Sequence, residues 1–178
     1  LSIDELRVLA EEIDKGHRRD DSAALVWLLG TTGLRIGEAL ALNVGDADSE
    51  RKRLRVHRSK TGRARDVPVP ASVLAMLDLS RDPSEPLVCG ARGGRLHKDS
   101  WRQRRFRPAC DRLGWDGLRI HDLRHTAASL AIASGADVKA VQRMLGHATA
   151  TMTLDLYGHL WDRGLDDVAD RMEAMMAK

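Results

Sequence analysis

The sequence predicts a mainly α-helical fold with one small antiparallel β-sheet, that is, an α+β domain. Apolar residues recur at helical spacing in segments along the whole chain, whereas strand-like alternation is confined to residues 53–70. With 178 residues, of which 43% are hydrophobic and 31% charged, the chain can bury a sizeable core but is too short for two comfortable domains. We therefore expect a single domain over residues 1–178 that includes a tail helix at about 162–178.

The N-terminal helices are marked by their ends and by their apolar stripes. The segment SIDELRVLAEEID begins with Ser2 and carries Glu5 three residues later, which is the capping-box pattern. Residues 21–33 form an almost wholly apolar helix that ends at Gly33, and residues 34–42 form a short helical segment directly after it. This part of the chain should therefore be helical throughout.

The strand signal lies in the middle of the chain. Residues 53–59 and 64–70 alternate polar and apolar side chains around a KTGR turn, which predicts a hairpin with Lys60 at its turn. Further helical patterns follow over residues 71–79, 98–114, 123–135, 137–145 and 165–178. Tyr157, the single tyrosine, is predicted to lie between a helix-like run and a polar turn.

Positive charge is concentrated in two stretches, although the net charge is only +3. Residues 51–65 contain no acidic side chain, and a second basic stretch covers residues 92–107. Such runs can be solvated faces, but a pI near 9.1 with clustered positive charge is also typical of proteins that bind a phosphate backbone. We expect double-stranded DNA as the partner, with contacts from Arg58, Arg63, Arg65, Lys98 and Arg102.

The cysteines and the apolar runs indicate the compartment. Cys89 and Cys110 are isolated in the sequence and too few for a disulfide framework, which favours a reducing environment. The first residues lack the features of a signal peptide, and the longest apolar run, AALVWLLG, is too short to span a bilayer. We expect a cytoplasmic chain with no membrane partner, from which a segment before Leu1 has been removed.

Several polar residues stand out from this pattern. Arg35 begins a segment apolar enough to be buried, so its guanidinium needs an anionic partner, and Glu38 on the same helical face can supply one. His121 and Arg124 are one helical turn apart and can point to a common place. His147 lies at the end of one helix and before the next.

Together these residues suit transfer at a phosphodiester. The two arginines can each grip two phosphate oxygens, and the two histidines can exchange protons near neutral pH. Lys60 can protonate a leaving oxygen. Tyr157, which alone would be read as a packing residue, is then the nucleophile, with its pKa lowered by neighbouring cations once DNA is bound. No carboxylate cluster suited to magnesium appears in the sequence.

Three segments, taken in order, resemble the motif boxes of the tyrosine recombinases, the phage-integrase family. They are TGLRIGEALAL, SKTGRARDVPVP and HDLRHTAASLAIASGADVKAVQRMLGHATATMTLDLYGHL. The resemblance implies the catalytic-domain fold of that family and a site-specific recombinase or integrase activity. It also implies that DNA is cleaved and rejoined through a 3′-phosphotyrosine link, with neither ATP nor a metal cofactor.

The resemblance implies a role for each candidate residue. Arg35 resembles the first catalytic arginine, and Glu38 resembles the acidic residue that braces the pocket. Lys60 resembles the residue that donates a proton to the leaving 5′ oxygen, and His121 and Arg124 resemble the two ends of the H-x-x-R motif. His147 resembles the later histidine of the family, and Tyr157 resembles the nucleophile. It further implies a homo-tetramer on DNA for the full-length protein, near the nucleoid of a bacterial or phage-infected cell, and a monomer for the isolated domain. The N-terminal core-binding domain of the family is absent from this chain.

Four alternatives remain at this point. Lys52 lies on the same basic stretch as Lys60 and competes for the role of proton donor. His121 and His125 have the spacing of two zinc ligands, although no acidic residue stands where a metalloprotease needs one and Arg124 would place a cation beside the metal. Residues 135–147 look like a helix-turn-helix, which would suit a DNA-binding module without catalysis. A type IB topoisomerase would use the same tyrosine chemistry to relax DNA without exchanging partners.

The segment after the tyrosine carries its own apolar stripe. Leu165, Val168, Met172 and Met175 recur at helical spacing behind an acidic first turn. The stripe either packs on its own domain or, as the resemblance implies, is donated to a neighbouring protomer. We expect the second arrangement on DNA, with methionine side chains that adapt to either groove.

Overall fold

The computed structural model describes residues 1–15, 20–57, 64–161 and 166–176, and these ranges form ten α-helices and one three-stranded sheet. The helices are α1 Ile3–Asp14, α2 Ser22–Thr32, α3 Ile36–Ala41, α4 Ala71–Leu74, α5 Lys98–Trp101, α6 Arg107–Leu113, α7 Ile120–Ala133, α8 Val138–Leu145, α9 Ala150–Trp161 and α10 Asp166–Met176. The strands are β1 Ala47–Asp48, β2 Arg53–Val56 and β3 Arg65–Pro68. The predicted fold class, mainly α with a small antiparallel sheet, is confirmed.

The ends of the first two helices are where the sequence predicts them. The Ser2 hydroxyl accepts a hydrogen bond from the amide of Glu5 at 3.1 Å, and the Glu5 carboxylate accepts one from the amide of Ser2 at 2.6 Å. Helix α2 ends at Gly33, whose φ of +66° suits a residue without Cβ. Because α2 is packed between α1 and α7, it is apolar on most sides.

The sheet has one more strand than expected. Strands β2 and β3 pair antiparallel, with Leu54 opposite Val67 and both side chains buried, as the hairpin prediction required. Strand β1 adds Ala47 opposite Leu54 on the other edge. Two residues are too few to show alternation, so the sequence pattern misses this strand.

Two helical predictions need correction. The segment 71–79 is helical only over α4, after which the amides of Met76 and Leu77 bond to the carbonyls three residues back and the chain continues as turns. Asp78 then accepts hydrogen bonds from the amide and hydroxyl of Ser80. The segment 98–114 does form one continuous helical element, but it contains a π-helical turn at Arg102–Phe106. That turn lies just before Pro108, which has no amide hydrogen to donate and clashes with a regular preceding turn.

The C-terminal helices position the candidate site. Helix α7 begins at Ile120, so His121 and Arg124 share it one turn apart, as predicted. Tyr157 lies inside α9 and not at a helix end, which corrects the sequence expectation. Threonines in this segment weaken the helical pattern, yet Thr153 and Tyr157 face the core and hold the helix in place.

One cluster of buried apolar residues connects these elements. It contains Leu6 of α1, Leu25 of α2, Leu54 of β2, Leu123 of α7 and Tyr157 of α9. The site described next therefore rests on the core and not on an isolated loop. None of the helices in the described ranges combines the length and the apolar character needed to cross a bilayer.

Candidate active site

A cleft of about 920 Å³ brings several predicted site residues together. The start of α3 contributes Arg35 and Glu38, and α7 contributes His121 and Arg124. Lys98 and Arg102 line the same cleft from the helical element beside α3 and are exposed. Arginine and lysine side chains along the cleft outnumber acidic ones by six to three, which suits an anionic ligand.

Arg124 is the most deeply placed cation of the cleft, with only 4% of the residue exposed. Its guanidinium donates to the carbonyl of Gly33 and, at 2.6 Å, to the carbonyl of Leu145. Burial and, after it, the neighbouring charge of Arg35 lower the pKa of Arg124 to about 10, so the side chain stays cationic at neutral pH. Two backbone carbonyls therefore hold a positive charge in a fixed orientation inside the protein.

Glu38 pairs with Arg35, as the sequence suggests, and also with a second arginine. The Arg35 guanidinium donates to the Glu38 carboxylate at 3.0 Å. Arg65, from the start of β3, grips the same carboxylate with two hydrogen bonds of 3.1 and 2.7 Å. Burial raises the pKa of Glu38, but the hydrogen bonds and charges of the two arginines outweigh it and the net shift is downward. Glu38 is thus a carboxylate that braces two guanidinium groups.

The position of Arg65 does not fit the expected contact with DNA. Its side chain is 10% exposed and faces inward, where its Nε also donates to the carbonyl of Met144 at 3.3 Å. Charge clustering in the sequence cannot separate an inward guanidinium from an outward one, because its partner Glu38 lies 27 positions away. We therefore assign Arg65 to the support of Glu38 and Arg35.

Gly146 allows this close packing at the end of α8. Its φ of +68° ends the helix, and a Cβ at this position would lie 2.9 Å from the Arg65 guanidinium. Any side chain here would push Arg65 away from Glu38. The turn that Gly146 makes also places His147 beside the cationic cluster.

His147 is half-buried and neutral at physiological pH. Its Nδ1 lies 2.9 Å from the Thr153 hydroxyl of α9. Burial lowers the pKa of His147 to about 4, and the positive charges of Arg124, Arg35 and Arg65 act in the same direction. The residue is therefore available as a neutral hydrogen-bond donor in the absence of an anion, and a bound phosphate would favour its charged form.

The lowered pKa of His147 makes stability depend on pH. The unfolded chain binds a proton on this residue below about pH 6.5, but the folded chain does so only near pH 4. The free energy of unfolding should therefore be highest above pH 6.5 and fall as the pH drops toward 4. Urea unfolding at several pH values should show a smaller fall for His147→Asn. The control His159→Asn, at an exposed histidine on α9, should keep the full slope. Equal slopes for wild type and His147→Asn would contradict the assignment.

Tyr157 is hydrogen-bonded to His125, a residue to which the sequence assigned no catalytic role. The Tyr157 hydroxyl lies 2.7 Å from Nδ1 of His125, while the residue as a whole is only 5% exposed. Burial raises the pKa of Tyr157, and the nearby Arg124 partly opposes that shift. The lowering expected in the DNA-bound state stays a prediction. The spacing of His125, one turn beyond His121 on the same face of α7, does not reveal its partner, because Tyr157 lies 32 positions away.

The positions of the residues bear on two of the alternatives, the zinc site and Lys52 as the proton donor. His121 and His125 form a ring contact with centroids 5.1 Å apart, yet within the described ranges no group of three His, Cys, Asp or Glu side chains could hold a metal ion. Lys52 lies in the turn before β2 and lines a second cleft of about 590 Å³ that contains none of the candidate catalytic residues. Lys60, Arg58 and Arg63 lie outside the described residues.

Comparison with known proteins identifies this arrangement. The model of the Phage integrase family matches residues 1–163. Tyrosine recombinase XerD of Mycobacterium leprae is 33% identical over 174 residues, covering 86% of this chain and 54% of the relative. Tyrosine recombinase XerC of Roseiflexus castenholzii is 36% identical over 171 residues, covering 89% and 53%. The chain thus spans about half the length of these relatives.

Solved structures agree with the sequence matches. The catalytic domain of bacteriophage HP1 integrase superimposes with a TM-score of 0.72 at 25% identity, covering 96% of this chain and 92% of that one. The match is therefore to a catalytic domain of nearly the same extent. Since the family model covers most of the residues and both recombinase relatives exceed 30% identity, the chain belongs to the phage integrase family of tyrosine recombinases.

Proposed function

We propose that this chain is the catalytic domain of a site-specific DNA recombinase that cleaves and rejoins DNA strands without a metal ion. The observation that carries the proposal is the arrangement around Arg124. Arg124 shares a cleft with Arg35 and His121, and the His121 ring contacts the ring of His125, whose Nδ1 lies 2.7 Å from the Tyr157 hydroxyl. A phosphate held by the two arginines would therefore lie near the tyrosine. A fixed cationic pocket beside a hydroxyl nucleophile suits phosphoryl transfer.

The proposed reaction has two balanced halves. In cleavage, the Tyr157 hydroxyl gives its proton to a neighbouring base as its oxygen bonds to phosphorus, the bond from phosphorus to the 5′ oxygen breaks, and Lys60 gives that oxygen its proton. Arg35 and Arg124 hold the nonbridging oxygens, and His147 donates a hydrogen bond to one of them. Rejoining reverses these steps with a 5′ hydroxyl from another strand. One phosphodiester is exchanged for a phosphotyrosine, so the reaction requires no ATP.

The proposed partners follow from the same chemistry. Double-stranded DNA would enter from the side of Lys98 and Arg102, whose exposed charges line the cleft. We propose one domain over residues 1–178 that acts as part of a tetramer on DNA. The two free cysteines, Cys89 and Cys110, fit a reducing cytoplasm, in a bacterial or phage-infected cell. Recombinase relatives favour this reading over a topoisomerase or a non-catalytic DNA-binding module.

The proposal is tested by trapping the covalent intermediate. The chain is incubated in EDTA with negatively supercoiled plasmid, and with a pool of nicked duplexes of randomised sequence that cannot be religated. Detergent then stops the reaction. Protein covalently joined to a 3′ DNA end is expected, and plasmid relaxation without a divalent cation should accompany it. DNA binding without any covalent product would leave only the DNA-binding module.

Replacing Lys60 by alanine should slow cleavage, because the 5′ oxygen then leaves without its proton. A substrate with sulfur in place of that oxygen needs no proton donor, so it should restore the cleavage rate of Lys60→Ala to near that of wild type. The comparison is made in single-turnover reactions. Lys52→Ala is the matched control and should cleave both substrates normally, since Lys52 lines a different cleft. Rescue of Lys52→Ala instead would reverse the two assignments.

Removing the tail should separate cleavage from assembly. Val168, Met172, Met175 and Met176 of α10 are exposed, by up to 80%, so this helix presents an apolar face that a neighbouring copy could cover. A chain that stops after Trp161 is expected to retain covalent cleavage but to lose association of several copies on DNA. Gel shifts and analytical ultracentrifugation with DNA measure the second property. Normal assembly of the shortened chain, with unchanged urea unfolding, would argue against the exchange of tails.

A further inference from the structure

The hydroxyl of the proposed nucleophile has a specific hydrogen-bond partner in the folded chain. The Tyr157 oxygen lies 2.7 Å from His125 Nδ1, and their rings are 5.8 Å apart at an angle of 55°. His121, one turn earlier, makes no hydrogen bond to Tyr157 in the part of the chain that the structure describes, and it contacts the other ring only edge to face. The two histidines of α7 are therefore placed differently toward the nucleophile.

We propose that His125 is the catalytic base for Tyr157, which rests on the proposed function above. As the tyrosine oxygen bonds to phosphorus, its proton moves to His125 Nδ1, and the 5′ oxygen leaves with a proton from Lys60. In rejoining, His125 returns the proton to Tyr157 as the phosphotyrosine bond breaks. His121 then interacts with the phosphate and not with the Tyr157 hydroxyl.

A base is needed here because of where the tyrosine lies. Burial raises the pKa of Tyr157, so the phenol does not ionise by itself near neutral pH. An imidazole already within hydrogen-bond distance removes the proton during the attack, without requiring a free phenolate. The two groups are carried by α7 and α9, which pack against each other through the core, so their separation is fixed by the fold.

The surrounding charges can accommodate a proton on His125. Asp122, on the same helix, interacts with the charge of His125, and its carboxylate would stabilise an imidazolium. A positive His125 in turn disfavours protonation of His121 and of His147, in the turn before α9. These groups, together with Tyr157 of α9, are the titratable neighbours that would shape the pH dependence of cleavage.

The direction of the hydrogen bond can be measured without DNA. If the phenol donates, neutral His125 carries its proton on Nε2 and leaves Nδ1 free to accept. Nitrogen-15 chemical shifts of the imidazole at neutral pH, assigned by comparison with His125→Asn, should show this tautomer. A protonated Nδ1 in the neutral ring would overturn the inference, because that nitrogen could not accept the proton.

Kinetics separate proton transfer from mere positioning. His125→Asn keeps an acceptor atom near the place of Nδ1 but cannot take a proton, and it should slow single-turnover cleavage of the nicked duplex pool by about 10²–10⁴-fold. His159→Asn, at an exposed histidine on α9, should cleave like wild type. The acidic limb of the wild-type pH profile should be absent from His125→Asn. Near-normal cleavage by His125→Asn would overturn the inference.

A second nucleophile tests whether the effect is confined to the tyrosine proton. In a Tyr157→Phe background at alkaline pH, the hydroperoxide anion replaces the tyrosine as attacking group. Its attacking oxygen carries no proton, so adding His125→Asn should then cost no further rate. An equal loss with peroxide would mean general damage to the site and would overturn the inference. If wild-type chain forms no covalent product at all, the proposed function fails and this inference fails with it. If the wild-type chain forms the covalent product and His125→Asn forms it at the same rate, the inference about His125 is overturned while the proposed function stands.

Discussion

Tyr157→Phe is expected to abolish the covalent link between protein and DNA while leaving DNA binding nearly unchanged. The substitution removes one oxygen, which is the attacking atom, and it leaves the basic groups that determine affinity in place. Denaturing gels of the trapped reaction measure the adduct, and fluorescence anisotropy with the same duplex measures binding. An adduct that persists in Tyr157→Phe would remove this residue from the mechanism.

The folded state of this variant should be close to that of the wild type. The phenylalanine ring fills the same space in the core, and the lost hydrogen bond to His125 is worth about 1 kcal/mol. Urea unfolding should therefore show a change of that size or less. A much larger destabilisation would mean that loss of the adduct reports misfolding, in which case the peroxide reaction distinguishes a damaged pocket from a missing nucleophile.

Arg124→Lys is expected to reduce the single-turnover cleavage rate by about 10²–10³-fold, because one donor to a transition state is typically worth roughly 3 kcal/mol. Lysine keeps the charge but not the planar fork, so it cannot bind the carbonyls of Gly33 and Leu145 and the phosphate together. Near-normal cleavage by Arg124→Lys would mean that Arg124 does not bind the phosphate that is cleaved.

Stability must be measured for the same variant, since Arg124 also holds the structure together. Leaving buried carbonyls without donors costs about 1–3 kcal/mol each, which urea unfolding would detect. Arg7→Ala is a suitable control, because Arg7 forms an exposed ion pair with Asp4 on α1 and should affect neither cleavage nor stability. A rate loss measured well below the unfolding midpoint then reports chemistry and not loss of folded protein.

Local signals in the sequence predict local structure well. The capping box at Ser2 and Glu5 is confirmed at both hydrogen bonds, and Gly33 ends α2 as expected. The errors occur where longer-range contacts decide the structure. Strand β1 has only two residues and exists because β2 offers it an edge, and α9 is held in place by core contacts that outweigh its threonines.

The candidate site shows the same difference between local signals, which predict contacts well, and long-range contacts, which they do not predict. The pairing of Arg35 with Glu38 and the common helix of His121 and Arg124 depend on spacings of three residues, and both are confirmed. Arg65 and His125 could not be assigned from spacing, since their partners are 27 and 32 positions away. A run of basic residues does not show which of its side chains points inward, as Arg65 does. A pair of histidines on one helix does not show which residue of another helix lies beside it, as Tyr157 lies beside His125.

The site is built from parts of the chain that are far apart in sequence. Arg124 binds the carbonyl of Gly33 across 91 positions, and Arg65 binds that of Met144 across 79. Contacts of this range form only after long loops have closed. A chain emerging from the ribosome as far as α6 carries Arg35, Glu38 and Arg65 but neither Arg124 nor the proposed nucleophile, Tyr157. The proposed cleavage and the proposed rejoining therefore both require the complete fold, and an unfinished or partly unfolded copy is expected to leave DNA intact.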